Sequence, residues 1–208
     1  MKLEHYLQKE FKGISLFEDS FVDKELALNL KLEQNLYQLK IDSDEINFDY
    51  FNNVYQKSNC IFEDIFREEN QIYLVLHIRS ELSSSRKRAT EIFQRYLKEK
   101  NDKYKLKYTK KLISSTEEII QYAVLLPSKN AINYKKIIKA ICNQDFQELQ
   151  PRFRNKYTYY PELFFVNKDR NIILNIFDDR GCFIIFNDKE ELNLFKEHYR
   201  DNLVNETH

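Results

Sequence analysis

Apolar positions recur along this chain with two different periods, and the switches between them predict its elements. Leu26, Leu28, Leu30 and Leu32 alternate with Ala27, Asn29 and Lys31, a period of two that puts four leucines on one face of a strand. Ile72 to Ile78 and Gln121 to Leu126 are β-prone runs short enough for buried strands, the second stopped by Pro127. Beyond Pro161, Leu163 to Val166, Ile172 to Phe177 and Cys182 to Phe186 are joined by polar turns, the pattern of an antiparallel meander.

The other period is helical. Phe48, Phe51, Val54, Tyr55, Phe62, Ile65 and Phe66 form an aromatic stripe along a helix over 47–66. Ala89, Ile92, Phe93, Tyr96 and Leu97 predict a helix over 85–99, with Ser84 or Ser85 placed to cap it, and Tyr134, Ile137, Ile138, Ile141 and Cys142 predict one over 133–143. Asp188, followed three residues later by Glu191, starts a closing helix over 188–202 whose apolar face is Leu192, Phe195 and Tyr199. Leu3, Tyr6, Leu7 and Phe11 form a short first helix that ends near Gly13. These elements predict an α+β fold: a mixed or antiparallel sheet with a C-terminal three-strand meander, flanked by about four amphipathic helices. No linker-like tract divides the 208 residues, so the expectation is one domain, with its core over 26–202, a short helix in 1–13 and a tail at 203–208.

Composition narrows the chemistry. The chain is 42% hydrophobic and 32% charged, with 16 Phe and 14 Tyr, enough burial capacity to fold. Two glycines and three prolines exclude collagen-like and linker-rich architectures and the Gly-rich loops that cradle phosphates. Acids interrupt the N-terminus where a signal peptide needs an apolar run, and no segment approaches the roughly 18 apolar residues of a membrane span, so a cytoplasmic protein without a membrane partner is expected. Cys60, Cys142 and Cys182 form no close pair and are read as small buried apolar residues. His5, His77, His198 and His208 include no two at metal-ligand spacing; His77, in an apolar strand, is read as a hydrogen-bonded core residue. Ser83 to Ser85 lack a nucleophile elbow. No metal, cofactor or catalytic residue is implied, and the reading leans away from an enzyme.

The formal net charge is zero, but its distribution is uneven. Residues 1–66 hold 7 basic and 13 acidic side chains, whereas 79–111 hold 12 basic and 4 acidic. Arg86, Lys87, Arg88, Lys105 and Lys107, interleaved with Tyr104 and Tyr108, are candidates for gripping phosphates and stacking bases of RNA or single-stranded DNA; the plainer reading is a solvated helix face and loop. Arg152 to Lys156 form a weaker basic stretch.

Asp178-Asp179-Arg180-Gly181 is the compact motif of the chain, and it suits a hairpin turn. Asp178 can accept from the backbone two residues on and Gly181 can take a positive φ. In a functional reading, the two carboxylates and the arginine form a charged docking point for a partner protein. With Leu163 to Val166, Asn171 to Leu174, Val54 to Phe66 and Gln71 to Val75, this turn resembles a bacterial family known as a domain of unknown function, DUF3885, over roughly residues 26–190. The resemblance implies a compact α+β architecture and carries no catalytic residues. Size, neutrality and segregated charge lead to the expectation of a non-enzymatic protein–protein interaction module, in one version an immunity protein that neutralises a toxin. The alternatives are nucleic-acid binding through 86–111 and an enzyme with carboxylates assembled around Asp178 and Asp179.

Overall fold

The computed structural model describes residues 2–17, 25–81, 86–153 and 160–204, with backbone alone for 80, 81 and 86–90. In chain order the elements are α1 (Leu3–Glu10), β1 (Ala27–Lys31), α2 (Phe48–Ile65), β2 (Ile72–Glu81), α3 (Arg86–Tyr96), β3 (Lys107–Leu112), β4 (Glu117–Leu126), α4 (Tyr134–Cys142), β5 (Glu162–Asn167), β6 (Ile172–Ile176), β7 (Gly181–Phe186) and α5 (Lys189–His198). The strands form one seven-stranded sheet in the order β1-β7-β6-β5-β2-β4-β3, and every pairing is antiparallel. This is the α+β class with the C-terminal meander β5-β6-β7.

Period-two alternation divides the strands between two apolar layers. Leu28, Leu30, Leu74, Leu76, Ile120, Val124, Leu174 and Ile184 face α2, α3, α4 and α5 in the larger layer. Tyr73, Val75, Phe164, Val166, Ile173 and Ile185 face the other way, under Leu3, Tyr6 and Leu7 of α1. The meander strands are buried throughout or nearly so, which explains their continuous apolar runs.

Local chemistry sets the helix boundaries. The Asn47 side chain accepts from the backbone of Asp49 and Tyr50 at the start of α2, and Asp188 accepts from Glu191 N at 2.8 Å at the start of α5. Within α2, Phe51, Val54, Phe62 and Ile65 are fully buried, each contributing on the order of 1.5 to 3 kcal/mol. Phe62 stacks on Phe66 at 4.5 Å and meets Phe165 edge-on at 5.1 Å, locking α2 onto the sheet. Phe48, at the helix start, departs from the expected stripe: it is 63% exposed because it precedes the turn that meets the sheet.

Several other expectations are corrected. The segment read as helix and basic loop contains a strand, β3, at the outer edge of the sheet, where Lys107, Lys110 and Lys111 discourage further pairing. At the opposite edge, Leu203 and Val204, placed in a tail by the sequence, add a bridge and a hydrogen bond to β1. Cys142 and Cys182 are buried as expected, but Cys60 is exposed, since it lies on the outer side of α2. Among the described residues no helix is long and apolar enough to cross a membrane. Ser84 and Ser85, the expected cap of α3, lie outside the described residues, as do the side chains of Arg86, Lys87 and Arg88 and all of Arg154 to Lys156.

Candidate functional site

The four-residue motif closes the β6–β7 hairpin, and its first hydrogen bond is the expected one: Asp178 Oδ1 accepts from Arg180 N at 2.8 Å. Asp178 Oδ2 also takes the Arg180 guanidinium, through Nε at 2.8 Å and through Nη2. The turn therefore neutralises its own first carboxylate.

Gly181 is used differently from the expectation. Its φ lies outside the left-handed region; what requires glycine is space. A Cβ there would lie 2.6 Å from Phe177 Cζ and 2.8 Å from the Leu30 carbonyl oxygen. The glycine that does take a positive φ is Gly13, at +81°.

Asp179 faces inward and is 2% exposed, as Asp178 is 4% exposed. Its Oδ2 accepts from the Tyr50 hydroxyl at 2.8 Å and from Gln38 Nε2 at 3.1 Å. Gln144 Nε2 donates to Phe177 O at 2.9 Å, and Leu32 N donates to Arg180 O at 3.1 Å. The turn is thus stapled to α2, to β1, to the loop after α4 and to the segment before α2. Burial raises the Asp179 carboxyl above the usual range, and neighbouring Asp178 pushes the same way while Tyr50 and Gln38 oppose. Burial, then Asp179, pushes the Tyr50 hydroxyl up. Asp145, exposed, completes a trio whose carboxylate oxygens lie within 4.8 Å of one another. Because Asp178 is held by Arg180 and Asp179 by two donors, these two buried carboxylates behave as an anchor; Arg180, with 68% of its side chain exposed, is the member of the motif that reaches solvent.

What the anchor holds is a small hairpin over 37–48. Leu39 bridges Ile46, Lys40 N donates to Glu45 O at 2.9 Å, and Asn47 N donates to Gln38 O at 2.8 Å. Gln38 points inward to Asp179, so its alternating neighbours point out: Tyr37 is 75% exposed, Leu39 40% and Ile41 85%. Phe48, at the first position of α2, is exposed beside them. The tip and flank carry Asp42, Asp44, Glu45 and Asp49, with Lys40 tied to Glu45 at 2.7 Å. The sequence shows the odd-position alternation, but no local signal links it to a turn 140 residues downstream.

The basic candidates are only partly gathered. Lys105, Lys107 and Tyr108 line a groove of about 850 Å³ between α1 and β3, together with Lys2, Leu3 and Tyr73. Lys105 is paired with Asp102 at 2.6 Å and Lys110 with Glu118 at 3.0 Å. Tyr104 is 79% exposed but is not among the groove residues.

The chain belongs to the family described as "Domain of unknown function (DUF3885)", which matches residues 3–206. It is similar to a Bacillus subtilis (strain 168) protein described as "Uncharacterized protein YnaE", with 28% identity over 207 residues, covering 97% of this chain and 96% of the relative. No solved structure gives a significant match.

Proposed function

We propose that this protein is a non-enzymatic interaction module of the bacterial cytoplasm and that hairpin 37–48 is its recognition surface. The observation that carries this reading is the exposure of Tyr37, Ile41 and Phe48 on an element ringed by four acids and fixed to the core through Gln38 and Asp179. Rigid aromatic and aliphatic side chains rimmed by one sign of charge are the composition of a protein-binding hot spot. The charge selects a cationic partner. A toxin that cuts nucleic acid needs a cationic face to bind its substrate, and an acidic module that covers this face neutralises it; an immunity protein is the form of the proposal.

The test is to co-express the chain with the product of the gene beside its own and to measure growth rescue and affinity. Rescue with salt-sensitive binding is expected. Ile41→Asp should weaken binding by about 2 kcal/mol, roughly 30-fold, without changing the melting temperature. Absence of binding by the neighbouring products, or tight binding indifferent to Ile41→Asp and to Asp42→Lys, overturns the assignment.

One observation favours a second reading. The groove lined by Lys2, Lys105, Lys107 and Tyr108 carries three cations against the single carboxylate of Glu4, with Lys105 already paired to Asp102, and this excess suits an anionic strand, such as RNA or single-stranded DNA. Charge reversal at Lys107 would then reduce binding and its salt slope, and failure to bind at low salt ends this reading. An enzyme built on Asp178 and Asp179 draws less support, since both carboxylates are buried and already hydrogen-bonded.

A further inference from the structure

Large apolar side chains on the surface are gathered in two places. Among the described residues nine are exposed, and eight of them lie within 37–48 or 104–113, the exception being Leu194. The first group is Tyr37, Leu39, Ile41 and Phe48, on the hairpin and the start of α2. The second is Tyr104, Tyr108, Leu112 and Ile113, on β3 and the segments at its two ends. Single exposed apolar residues are ordinary, whereas clusters with a polar rim mark interaction sites.

The two patches carry opposite charge. The first has Asp42, Asp44, Glu45 and Asp49 against Lys40, a balance of −3. Residues 98–111 bring seven lysines and two acids to the second, and with Lys2, Glu4, Glu117 and Glu118 from neighbouring elements the face holds eight lysines and five carboxylates, a balance of +3. Lys105 and Lys110 are tied to Asp102 and Glu118, so Lys2 and Lys107 of the groove contribute to the excess. The patches do not meet within one chain. The hairpin is fixed to the β6–β7 turn through Gln38 and Asp179, and four strand spacings separate β6 from β3, roughly 19 Å. They also face different layers: Lys107 pairs with Ala123 on the α1 side of the sheet, whereas Tyr50, which holds Asp179, packs in the layer on the other side.

We infer that copies of this chain associate head to tail, the acidic hairpin of one docking on the basic β3 face of the next. Patches that are complementary but distant on one molecule match only between molecules. Such a contact is heterologous, uses each patch once, and extends into chains or closes into rings. The groove of about 850 Å³, lined by Leu3, Ala123 and Leu125 between Lys2 and Lys107, gives the Tyr37 and Ile41 side chains an apolar seat. One hairpin covers little area, so the association is weak and salt-sensitive. The inference rests on the reading of hairpin 37–48 as a recognition surface and adds its regulation, since a cationic partner that takes the hairpin competes with self-association.

The experiment is sedimentation velocity of the intact chain, cleared of nucleic acid, at about 50 mM and about 500 mM salt. Wild type should form oligomers whose mean mass rises with concentration at low salt and that dissociate at high salt. Ile41→Asp spoils one patch, and Lys2→Glu with Lys107→Glu reverses the other; these positions are exposed, so both variants keep the wild-type circular dichroism. Each variant alone should associate at least tenfold more weakly. Mixed, the two should form a 1:1 dimer and nothing larger, because each retains the patch that the other has lost. The inference is overturned if wild type stays monomeric up to about 1 mM, if mixing yields no dimer, or if either variant assembles like wild type. A monomer that binds a single-stranded oligonucleotide through Lys107 gives the basic face to nucleic acid and also overturns it. A monomer that binds the neighbouring gene product sinks self-association and leaves the interaction reading standing, whereas head-to-tail assembly without such binding does the reverse.

Discussion

Replacing Gly181 with alanine isolates what the motif does structurally. The added methyl would fall 2.6 Å from Phe177 Cζ and 2.8 Å from Leu30 O. The phenyl ring can turn, but the carbonyl belongs to β1, and Leu30 and Lys31 are paired with Cys182 and Gly181 in the sheet register. Relief therefore requires β1 to move away from β7 or the turn to lift from Leu32 N. Overpacking of this kind costs about 1 to 3 kcal/mol, and the backbone clash places Gly181→Ala toward the top of that range. For a chain of this length each kcal/mol is worth roughly 2 to 4 °C, so the melting temperature should fall by roughly 6 to 12 °C. The assay is thermal unfolding by circular dichroism, checked by the urea midpoint. Gly13→Ala serves as the contrast: that position has φ +81° and nothing within 4 Å of the added Cβ. It should lose only the left-handed backbone penalty, about 1 to 2 kcal/mol, and Gly13→Asn should recover part of the loss. Gly181→Ala at the wild-type melting temperature, or Gly181→Ala less damaging than Gly13→Ala, refutes the crowding argument.

Phe62→Asp and Phe195→Asp should unfold the protein, since each places a carboxylate in the larger apolar layer; Phe62→Ala should cost about 3 to 5 kcal/mol, while Phe48→Ala should stay within about 0.5 kcal/mol, as urea titrations would show. A thiol reagent should label Cys60 in the native state and leave the other two cysteines for denaturant, counted by mass spectrometry, because burial pushes the Cys142 thiol up and takes Cys182 to about 12. Asp179 titrates above its unfolded value, so the folded chain holds the extra proton. Its contribution to stability therefore falls as pH rises from the ordinary carboxylate range through the raised value. Asp179→Asn should remove that slope, and a variant that instead loses ground to wild type as pH rises contradicts the assignment.

The legible parts of the fold were those where one face does all the burying. The stripe of α2 and the alternating leucines of β1 reproduce their periods in the structure, and the meander strands show as apolar runs because both faces are covered. β3 was hidden for the complementary reason: Lys107 to Leu112 is exposed almost throughout, so its alternation carries no burial signal and its lysines read as a charged loop. In the candidate site, the bond from Asp178 to Arg180 N is local and follows from the spacing. The partners of Asp179 are Gln38 and Tyr50, 141 and 129 residues away, and only the assembled sheet brings them together. The role of Gly181 was misread because Phe177 and Leu30 O crowd it through tertiary packing, whereas turn chemistry alone invites a positive φ.

The position of β1 has a consequence for how the chain comes off the ribosome. Ala27 finds its neighbour in Ile185, and five other strands of the sheet are made in between. At about 5 to 20 residues per second, the first strand waits on the order of ten seconds for a partner that is translated nearly last. Closing so long a span adds only about 0.6 kcal/mol of chain entropy per doubling, so the delay is a matter of birth order. Until then its leucines are a sticky fragment, to be shielded by a chaperone or by transient nonnative contacts. The sheet therefore closes only once its last hairpin is made, and a chain ending before Gly181 leaves β1 without its strand partner.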